Sequence, residues 1–166
     1  FAAMGYASSG ILGAKLAQPE SPAIAVVGDG SFMMTPHILA TAAEYDIPAV
    51  WVVWNNYGYC SIRDLQLGSF KTGELATSFT HDRSGALMST DFAMLARSMG
   101  VAGTRVDKPG DLEGALETAI KSGKPHLVEV VVDREIRPVG TGTWVLPPLP
   151  HPEPNFLTLA RGAPLA

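Results

Sequence analysis

The sequence predicts an α/β domain built on a doubly wound parallel sheet with helices on both faces. Four short segments of strand length, at residues 23–27, 49–54, 103–106 and 126–132, alternate with segments of helical length. Strands that alternate with helices are typical of βαβ units, whose connections place the strands parallel to one another. The chain has 166 residues, of which 46% are hydrophobic, and this is enough for a single core of ordinary domain size.

The first elements are a helix, a strand and a second helix. Small residues recur through residues 5–17 and predict a buried helix that approaches its neighbours closely. The apolar run at 23–27 predicts a buried parallel strand. Thr35 and Pro36 are typical of an N-cap and a first helical turn, so we expect a helix from there to about residue 45.

The middle of the chain contains the second strand and a long irregular segment. The tripeptide Asp46-Ile47-Pro48 ends the preceding helix, and residues 49–54 form the next predicted strand. A helix is expected after Gly58, through about Gln66. Residues 68–90 show no sustained hydrophobic period and contain several glycines, so we interpret them as a mobile loop over a site or at a subunit contact.

The last predicted elements complete the domain, which we assign to residues 1–136. Helices are expected at 91–99 and 110–122, and strands at 103–106 and 126–132. The final strand is apolar enough to be central in the sheet.

Residues 137–166 differ in composition, since they are rich in proline and glycine around a few large apolar side chains. Such a C-terminal tail cannot form a regular helix. Two interpretations remain open: an extended tail that packs across another surface, or a poorly ordered terminus.

Composition excludes several classes of protein. The net charge of −4 argues against a nucleic-acid-binding protein, because phosphate-backbone binders usually carry a basic surface. No apolar stretch is long enough to span a bilayer. The single cysteine, Cys60, excludes an internal disulfide and is typical of the reducing cytoplasm. No histidine lies near it in sequence, so we interpret Cys60 as a packing residue.

Two polar motifs follow the first two predicted strands. Gly28-Asp29-Gly30 ends the first apolar run, and Asn55-Asn56 ends the second. Open α/β sheets bind ligands at the carboxyl ends of their strands, and a carboxylate such as Asp29 at that edge suits a hard divalent cation. Glycines beside it leave room for a phosphate, while the amides of Gly30 and Ser31 point forward from a turn that runs into a helix.

The helix and strand between these motifs return the chain to the same edge of the sheet. This connection sets Asn56 beside Asp29, so that two side-chain oxygens converge. A Mg²⁺ ion that keeps some water and takes its remaining oxygens from a diphosphate needs such a sparse protein contribution. The sequence therefore predicts a metal–diphosphate site.

This spacing resembles the cofactor fingerprint of the thiamine-diphosphate-dependent enzymes, in the group of acetolactate synthases and benzoylformate decarboxylases. Three further stretches carry the resemblance, at residues 1–6, 90–100 and 101–133. It implies the C-terminal cofactor-binding (PP) domain of these enzymes over residues 1–136. The implied cofactors are thiamine diphosphate and Mg²⁺.

The resemblance also implies a metal-ligand set. Asp29 and Asn56 match residues that supply side-chain oxygens to Mg²⁺, and Gly58 matches one that supplies its backbone carbonyl. Gly30 and Ser31 match residues that hold the diphosphate. Further implied cofactor contacts are Ala2, Met4, Gly28, Phe32 and Tyr59.

Two of these residues match positions at the cofactor rings. Met4 matches a bulky apolar residue that wedges between the two rings, and we take it as a candidate catalytic residue. The carbonyl of Ala2 matches the acceptor for the amino group of the aminopyrimidine. In this family the cofactor stores electrons after a 2-oxo acid loses CO₂.

The glutamate that protonates the pyrimidine ring in this family has no counterpart among the acidic residues of this chain. In the family it belongs to a separate domain, normally of a neighbouring subunit. We therefore expect a fragment of a longer polypeptide, with the sheet incomplete at its N-terminus and no activity alone. The expected partners are the remainder of the polypeptide, a second subunit of a homodimer or homotetramer, and a small 2-oxo acid or acyl substrate.

Residues 57–66 resemble the acetolactate synthase group, in which the residues matching Ser61 and Ile62 face the substrate. Pyruvate decarboxylases place a glutamate where Ile62 stands, so we expect decarboxylation with carboligation and take Ile62 as the second catalytic candidate. Acetolactate synthases, however, usually carry tryptophan where Leu65 stands. Benzoylformate decarboxylases match the loop through Arg63 about as well. A non-oxidative decarboxylase or a carbon–carbon lyase of the benzoylformate decarboxylase or 2-hydroxyacyl-CoA lyase type therefore stays open.

Two hypotheses from other classes fit less well. A binding module that kept the fold and lost its chemistry has no need for the intact Asp29, Asn56 and Gly58. A flavodoxin-like or nicotinamide-binding domain would share the sheet. Such a domain would carry G-x-G-x-x-G after its first strand, and this motif is absent here. It would also carry an acidic residue at the end of the following strand, where Trp54-Asn55 stands instead.

Overall fold

Four parallel strands form the sheet at the centre of the fold. The computed structural model describes residues 3–70, 73–88 and 90–136. In sequence order the strands are β1 (Ala23–Gly28), β2 (Ala49–Asn55), β3 (Ala102–Val106) and β4 (His126–Val131). Their order across the sheet is β1-β2-β4-β3, and each neighbouring pair is parallel. The strand at 126–132 is therefore internal, as its apolar sequence predicted.

Helices connect the strands and cover the sheet. Their bounds in the described part of the chain are α1 (Tyr6–Ala17), α2 (Asp29–Phe32), α3 (Ile38–Glu44), α4 (Cys60–Ser69), α5 (Phe92–Ser98) and α6 (Leu112–Lys121). The predicted elements are all present, with bounds that differ by a few residues. Among the residues described, no helix is both long and apolar enough to cross a membrane.

The sheet has an apolar core on each face. The larger core joins β1, β2 and β4 to α1, α2, α3 and α5, with Trp51, Phe32 and Phe92 among its fully buried side chains. The smaller core joins β2, β3 and β4 to α6 through valines and Ala119. Helices thus lie on both faces, and the predicted doubly wound α/β fold is confirmed.

One face of β1 is more exposed than the sequence predicted. Ile24 is 46% exposed and Val26 is 65% exposed, whereas Ala25 and Val27 point into the larger core. The reason is the position of α6, which packs on β3 and β4, so that the smaller core as described includes no residue of β1.

The first turn of α3 also differs from the prediction. Thr35 was expected to cap the helix, but regular α-helix begins only at Ile38. The hydroxyl of Thr35 instead donates a hydrogen bond to the carbonyl oxygen of Gly5, at 3.3 Å. This bond ties the segment before α1 to the chain between α2 and α3, which follows a series of tight turns.

The segment at 68–90 has partial structure. Its first two residues belong to α4, and isolated antiparallel bridges join Gly58 to Ser78 and Thr80 to Leu87. The predictions for residues 137–166 fall outside the described residues.

Candidate functional site

Asp29 joins the two polar motifs. It follows β1 directly, begins α2, and is only 1% exposed. Its Oδ1 accepts a hydrogen bond from the amide of Gly30 at 2.8 Å, and its Oδ2 accepts one from the amide of Gly58 at 3.0 Å. Because β1 and β2 are neighbours in the sheet, the two strand ends meet at this one carboxylate, as the topology predicted.

The environment of Asp29 makes its charge costly. Burial raises the pKa of this carboxyl, and the backbone amides of Gly30 and Gly58 oppose that rise in part. Desolvation disfavours the ionised form unless a positive charge is near. A divalent cation at this carboxylate would supply that charge, so the burial of Asp29 fits a metal ligand.

Asn56 places a third polar group at the same point. One terminal atom of its amide lies 3.0 Å from the carbonyl oxygen of Gly58 and 3.2 Å from Asp29 Oδ1. With nitrogen at that position, the amide donates two hydrogen bonds. With oxygen there, three acceptors from Asp29, Asn56 and Gly58 converge with no proton between them, and a hard cation is the partner such oxygens bind.

The donor set is therefore sparse and mixed. It consists of one carboxylate, one amide and one backbone carbonyl. Within the described ranges, no group of three or more His, Cys, Asp or Glu side chains is arranged to hold a metal ion. The geometry fits an ion that takes the rest of its ligands from water and a bound phosphate, as Mg²⁺ does.

The metal loop, which we define as residues 56–59, is held by hydrogen bonds to residues 77–79, which the sequence did not predict. The amide of Tyr59 donates to the carbonyl of Thr77 at 2.8 Å, and the amide of Phe79 donates to the carbonyl of Tyr57 at 2.9 Å. A Cβ atom on Gly58 would collide with the Thr77 carbonyl oxygen, so the close approach requires glycine. Nothing in the aperiodic sequence of this segment signals the pairing.

Tyr57 adopts the left-handed backbone conformation, with φ of 61°. For a residue other than glycine this costs about 1 kcal/mol. The side-chain Oδ1 of Asn55 accepts a hydrogen bond from the amide of Tyr57 at 3.3 Å. The first asparagine of the pair thus holds the turn that presents the second.

Gly30 and Gly28, two residues of the expected phosphate seat, have different surroundings. The ring of Tyr59 lies directly over Gly30, where an added Cβ would collide with it, and Gly30 donates its amide to Asp29. Tyr59 also packs edge-on against Phe79, with ring centroids 5.1 Å apart. On the side of Gly28 where a Cβ would point, no heavy atom of a described residue other than its two chain neighbours lies within 4 Å. The Cβ side of Gly28 is therefore open, whereas that of Gly30 is covered by the Tyr59 ring.

Met4 lies across a cleft from the end of β1. The cleft has a volume of about 440 Å³ and is lined by Ala3, Met4, Gly28 and Ser31, among others. The hydroxyl oxygen of Ser31 accepts a hydrogen bond from the amide of Gly5 at 2.9 Å, which fixes the Met4 segment against this edge. The structure thus brings Met4, Gly28 and Ser31 to one cleft.

The remaining predicted residues have other surroundings. Phe32 is fully buried against Phe92, with ring centroids 5.8 Å apart, so its side chain belongs to the core. Ile62 is 44% exposed in the first turn of α4 and is not among the described residues that line the cleft. Ala2 falls outside the described residues.

The contacts of Cys60 are those of a packed thiol. Its thiol donates to the carbonyl of Asn56 at 3.6 Å, and burial raises its pKa, which disfavours the reactive thiolate. These contacts agree with a packing role.

Comparison with known proteins identifies the family to which this chain is similar. Residues 1–130 match the family described as thiamine pyrophosphate enzyme, C-terminal TPP binding domain. Two relatives are a 3D-(3,5/4)-trihydroxycyclohexane-1,2-dione hydrolase of Lacticaseibacillus casei, 36% identical over 132 residues, and a probable acetolactate synthase large subunit of Methanococcus aeolicus, 33% identical over 130 residues. These matches cover 80% and 78% of this chain and 20% of each relative. The chain therefore spans about a fifth of the length of these curated relatives.

A solved structure agrees with this result. The chain resembles the thiamine diphosphate-dependent 4-hydroxybenzoylformate decarboxylase of Rhodococcus jostii RHA1, with a TM-score of 0.68 and 32% sequence identity. The match covers 78% of this chain and 23% of that one. The matched family, the shared fold and the relatives agree: this chain belongs to the thiamine-diphosphate-dependent enzymes and carries their cofactor-binding domain.

Proposed function

We propose that this chain binds Mg²⁺ through Asp29, Asn56 and the carbonyl of Gly58, and binds thiamine diphosphate through that ion. The observation that carries the proposal is the convergence of these groups at the ends of β1 and β2, where one terminal atom of the Asn56 amide lies 3.0 Å from the Gly58 carbonyl oxygen and 3.2 Å from Asp29 Oδ1. Asp29 supplies the only full charge of the set. Its burial favours a cation over water, because the ionised carboxylate lacks solvent to stabilise it.

The cleft beside the metal groups supports the rest of the cofactor site. Gly28 and Ser31 would face the diphosphate at the strand end, and the apolar side chain of Met4 would orient the rings and exclude water. When bound, thiamine diphosphate supplies an electron sink for a bond broken next to a carbonyl group.

For the reaction, we propose decarboxylation of a 2-oxo acid followed by carboligation, as in acetolactate synthases. Ile62 supports this proposal, because an aliphatic side chain has no proton to give and would not favour release of an aldehyde. Relatives named as a probable acetolactate synthase and as a sulfoacetaldehyde acetyltransferase of Alcaligenes xylosoxydans xylosoxydans, the latter 36% identical over 140 residues, agree with a carbon–carbon bond-forming or acyl-transferring activity.

The alternative is a non-oxidative decarboxylase or lyase. It is favoured by the similarity to the 4-hydroxybenzoylformate decarboxylase, whose fold matches over most of this chain. A hydrolase among the relatives shows that the family's domain also serves other reactions.

The assembly is part of the proposal. The residue that protonates the pyrimidine ring would come from outside residues 1–166, on a second subunit of a homodimer or homotetramer in the cytoplasm. The two relatives named above are longer than this chain, which matches 20% of the length of each.

The metal site is tested by titrating thiamine diphosphate into the intact protein with Mg²⁺ or with a chelator, using calorimetry. Asp29→Asn keeps the size of the side chain and removes its charge, so we expect Mg²⁺-dependent binding to weaken by at least about 100-fold. Asp46→Asn is the matched control, since Asp46 is exposed at the end of α3 and asparagine tolerates its φ of 49°. Unchanged cofactor affinity in a folded Asp29→Asn variant would disprove the proposed ligand.

A further inference from the structure

A buried carboxylate lies beneath the metal loop, outside the predicted site. Glu129 stands in the middle of β4 among apolar residues and is fully buried. Its Oε1 accepts hydrogen bonds from Asn55 Nδ2 at 2.8 Å and from Arg105 Nη1 at 2.6 Å. Its Oε2 accepts one from the amide of Ala93 at 3.2 Å.

These contacts continue to the metal loop through Asn55. This asparagine is 1% exposed at the end of β2, and while its nitrogen donates to Glu129, its Oδ1 accepts from the amide of Tyr57. An ionised carboxylate can only accept hydrogen bonds, so Glu129 requires the nitrogen of the Asn55 amide to face it. The oxygen of Asn55 must then face Tyr57.

Packing alone does not explain an acid at this position. A buried charge is costly even when it is paired, and an apolar residue of similar size would complete the core at lower cost. The three donors to Glu129 come from β2, from β3 and from the start of α5. The carboxylate therefore holds β2, β3 and α5 together through hydrogen bonds and sets the orientation of the Asn55 amide. An apolar side chain at this position would do neither.

We propose that Glu129 is a positioning residue for the metal loop. It orients Asn55, which holds Tyr57 in its left-handed conformation and thereby sets the carbonyl of Gly58 and the side chain of Asn56 toward Asp29. Glu129 itself contacts neither metal nor cofactor. This inference rests on the proposed metal site.

The test compares Glu129→Gln with wild type in the intact protein. Glutamine keeps the shape but offers a donor as well as an acceptor, so it no longer dictates the orientation of Asn55. We expect Mg²⁺ affinity, measured by calorimetry in the presence of thiamine diphosphate, to fall about 10- to 100-fold, while kcat at saturating Mg²⁺ stays near the wild-type value. In the ligand-free protein, amide hydrogen exchange at Tyr57 should become faster.

Two further variants separate positioning from general stability. Asn55→Ala leaves the contacts of Glu129 with Arg105 and Ala93 and should weaken Mg²⁺ binding similarly. The double variant Glu129→Gln/Asn55→Ala should bind Mg²⁺ no more weakly than the weaker single variant, because both substitutions act through the same hydrogen bond. Glu117→Gln, on the exposed surface of α6, is the control that removes a glutamate elsewhere.

The outcomes are distinguishable. Unchanged Mg²⁺ affinity in folded Glu129→Gln, or additive losses in the double variant, would overturn the positioning role. If Glu129→Gln does not fold, the Mg²⁺ affinity of Asn55→Ala tests the positioning role instead. Wild-type affinity in Asn55→Ala would overturn that role. If the wild type itself binds no thiamine diphosphate with Mg²⁺, the proposed function fails. In that case the exchange rate of Tyr57 still decides the inference, since an unchanged rate contradicts it.

Discussion

His126 is a buried histidine at the amino end of β4, the edge of the sheet opposite to Asp29. It is 6% exposed, its Nε2 lies 2.8 Å from Thr104 Oγ1, and its Nδ1 has no hydrogen-bond partner among the described residues. Burial lowers the pKa of this imidazole below the ordinary value of 6.5. The folded protein therefore holds His126 neutral at a pH at which the unfolded chain would bind a proton.

This difference predicts a loss of stability in mild acid. Since the unfolded state binds more protons, the contribution of His126 is fully present above about pH 6.5 and is lost as the pH falls toward the lower pKa of the folded state. We expect His126→Gln to reduce the fall in the free energy of unfolding between about pH 7.5 and pH 5.5, measured by urea denaturation. The exposed His37→Gln is the control. An identical pH dependence in wild type and His126→Gln would contradict this assignment.

Ile62 allows a test of the reaction type. If its side chain lines the substrate pocket, Ile62→Glu adds a general acid, and we expect the share of free aldehyde among the products from pyruvate to rise by at least about tenfold. The measurement is chromatographic product analysis of the intact enzyme. Leu67→Glu, a residue of similar exposure farther along α4, is the control. Aldehyde as the sole product of the wild type, from pyruvate and from aromatic 2-oxo acids, would instead favour the benzoylformate decarboxylase type.

Single residues also show what the sequence could and could not predict. The meeting of Asp29 with Asn56 follows from a general rule, since neighbouring parallel strands bring their carboxyl ends together. The role of Glu129 does not follow from such a rule. A carboxylate in the apolar central strand β4 indicates that a partner must exist. The partner itself depends on strand register, which the sequence leaves open.

At the scale of elements, α4 and the segment at 73–80 form one support for the metal loop. Gln66 of α4 donates to the carbonyl of Leu75 at 3.2 Å and accepts from its amide at 2.9 Å. Arg63 pairs with Glu74, at 3.2 Å. The Ser78 hydroxyl bonded to Glu74 is the main cause that lowers the pKa of that carboxyl. Because Thr77 and Phe79 bond the metal loop, these contacts hold the loop in place.

Gln66→Ala tests this support. Alanine is a better helix former than glutamine, so α4 should remain intact while the contacts with the segment are lost. Loss of about 1 kcal/mol of local stability should speed hydrogen exchange at Leu75 and Tyr59 roughly fivefold, as measured by NMR. Gln18→Ala, at the exposed end of α1, is the control. Equal exchange rates in wild type and Gln66→Ala would show that α4 does not hold the segment.

The regular elements were predictable and the irregular ones were not, for a physical reason. Apolar periodicity marks strands and helices, because a regular backbone repeats its buried positions. The segment at 73–88 is shaped instead by individual hydrogen bonds to α4 and to the metal loop, which leave no period. For the same reason the position of the Tyr59 ring could not be predicted, since Phe79 of that segment fixes it.

At the scale of the whole molecule, we predict that residues 1–166 alone will not turn over any 2-oxo acid in the presence of thiamine diphosphate and Mg²⁺. The proposed chemistry needs a glutamate at the pyrimidine ring, and no acidic residue of this chain lies in a matching motif. Decarboxylation is measured by CO₂ release, with circular dichroism to verify that the purified chain is folded. Turnover above background would show that the chain contains the activating acid itself.

The partners in this site lie at very different distances along the chain, and this has a consequence for protein synthesis. Asp29 and Gly58 are separated by 29 residues, whereas Asn55 and Glu129 are separated by 74. The entropic cost of closing a loop rises with its length, so the first contact forms at lower cost. We therefore expect the metal ligands to meet while the ribosome is still adding β3 and β4. The metal loop then gains its buried support only when the end of the sheet has emerged.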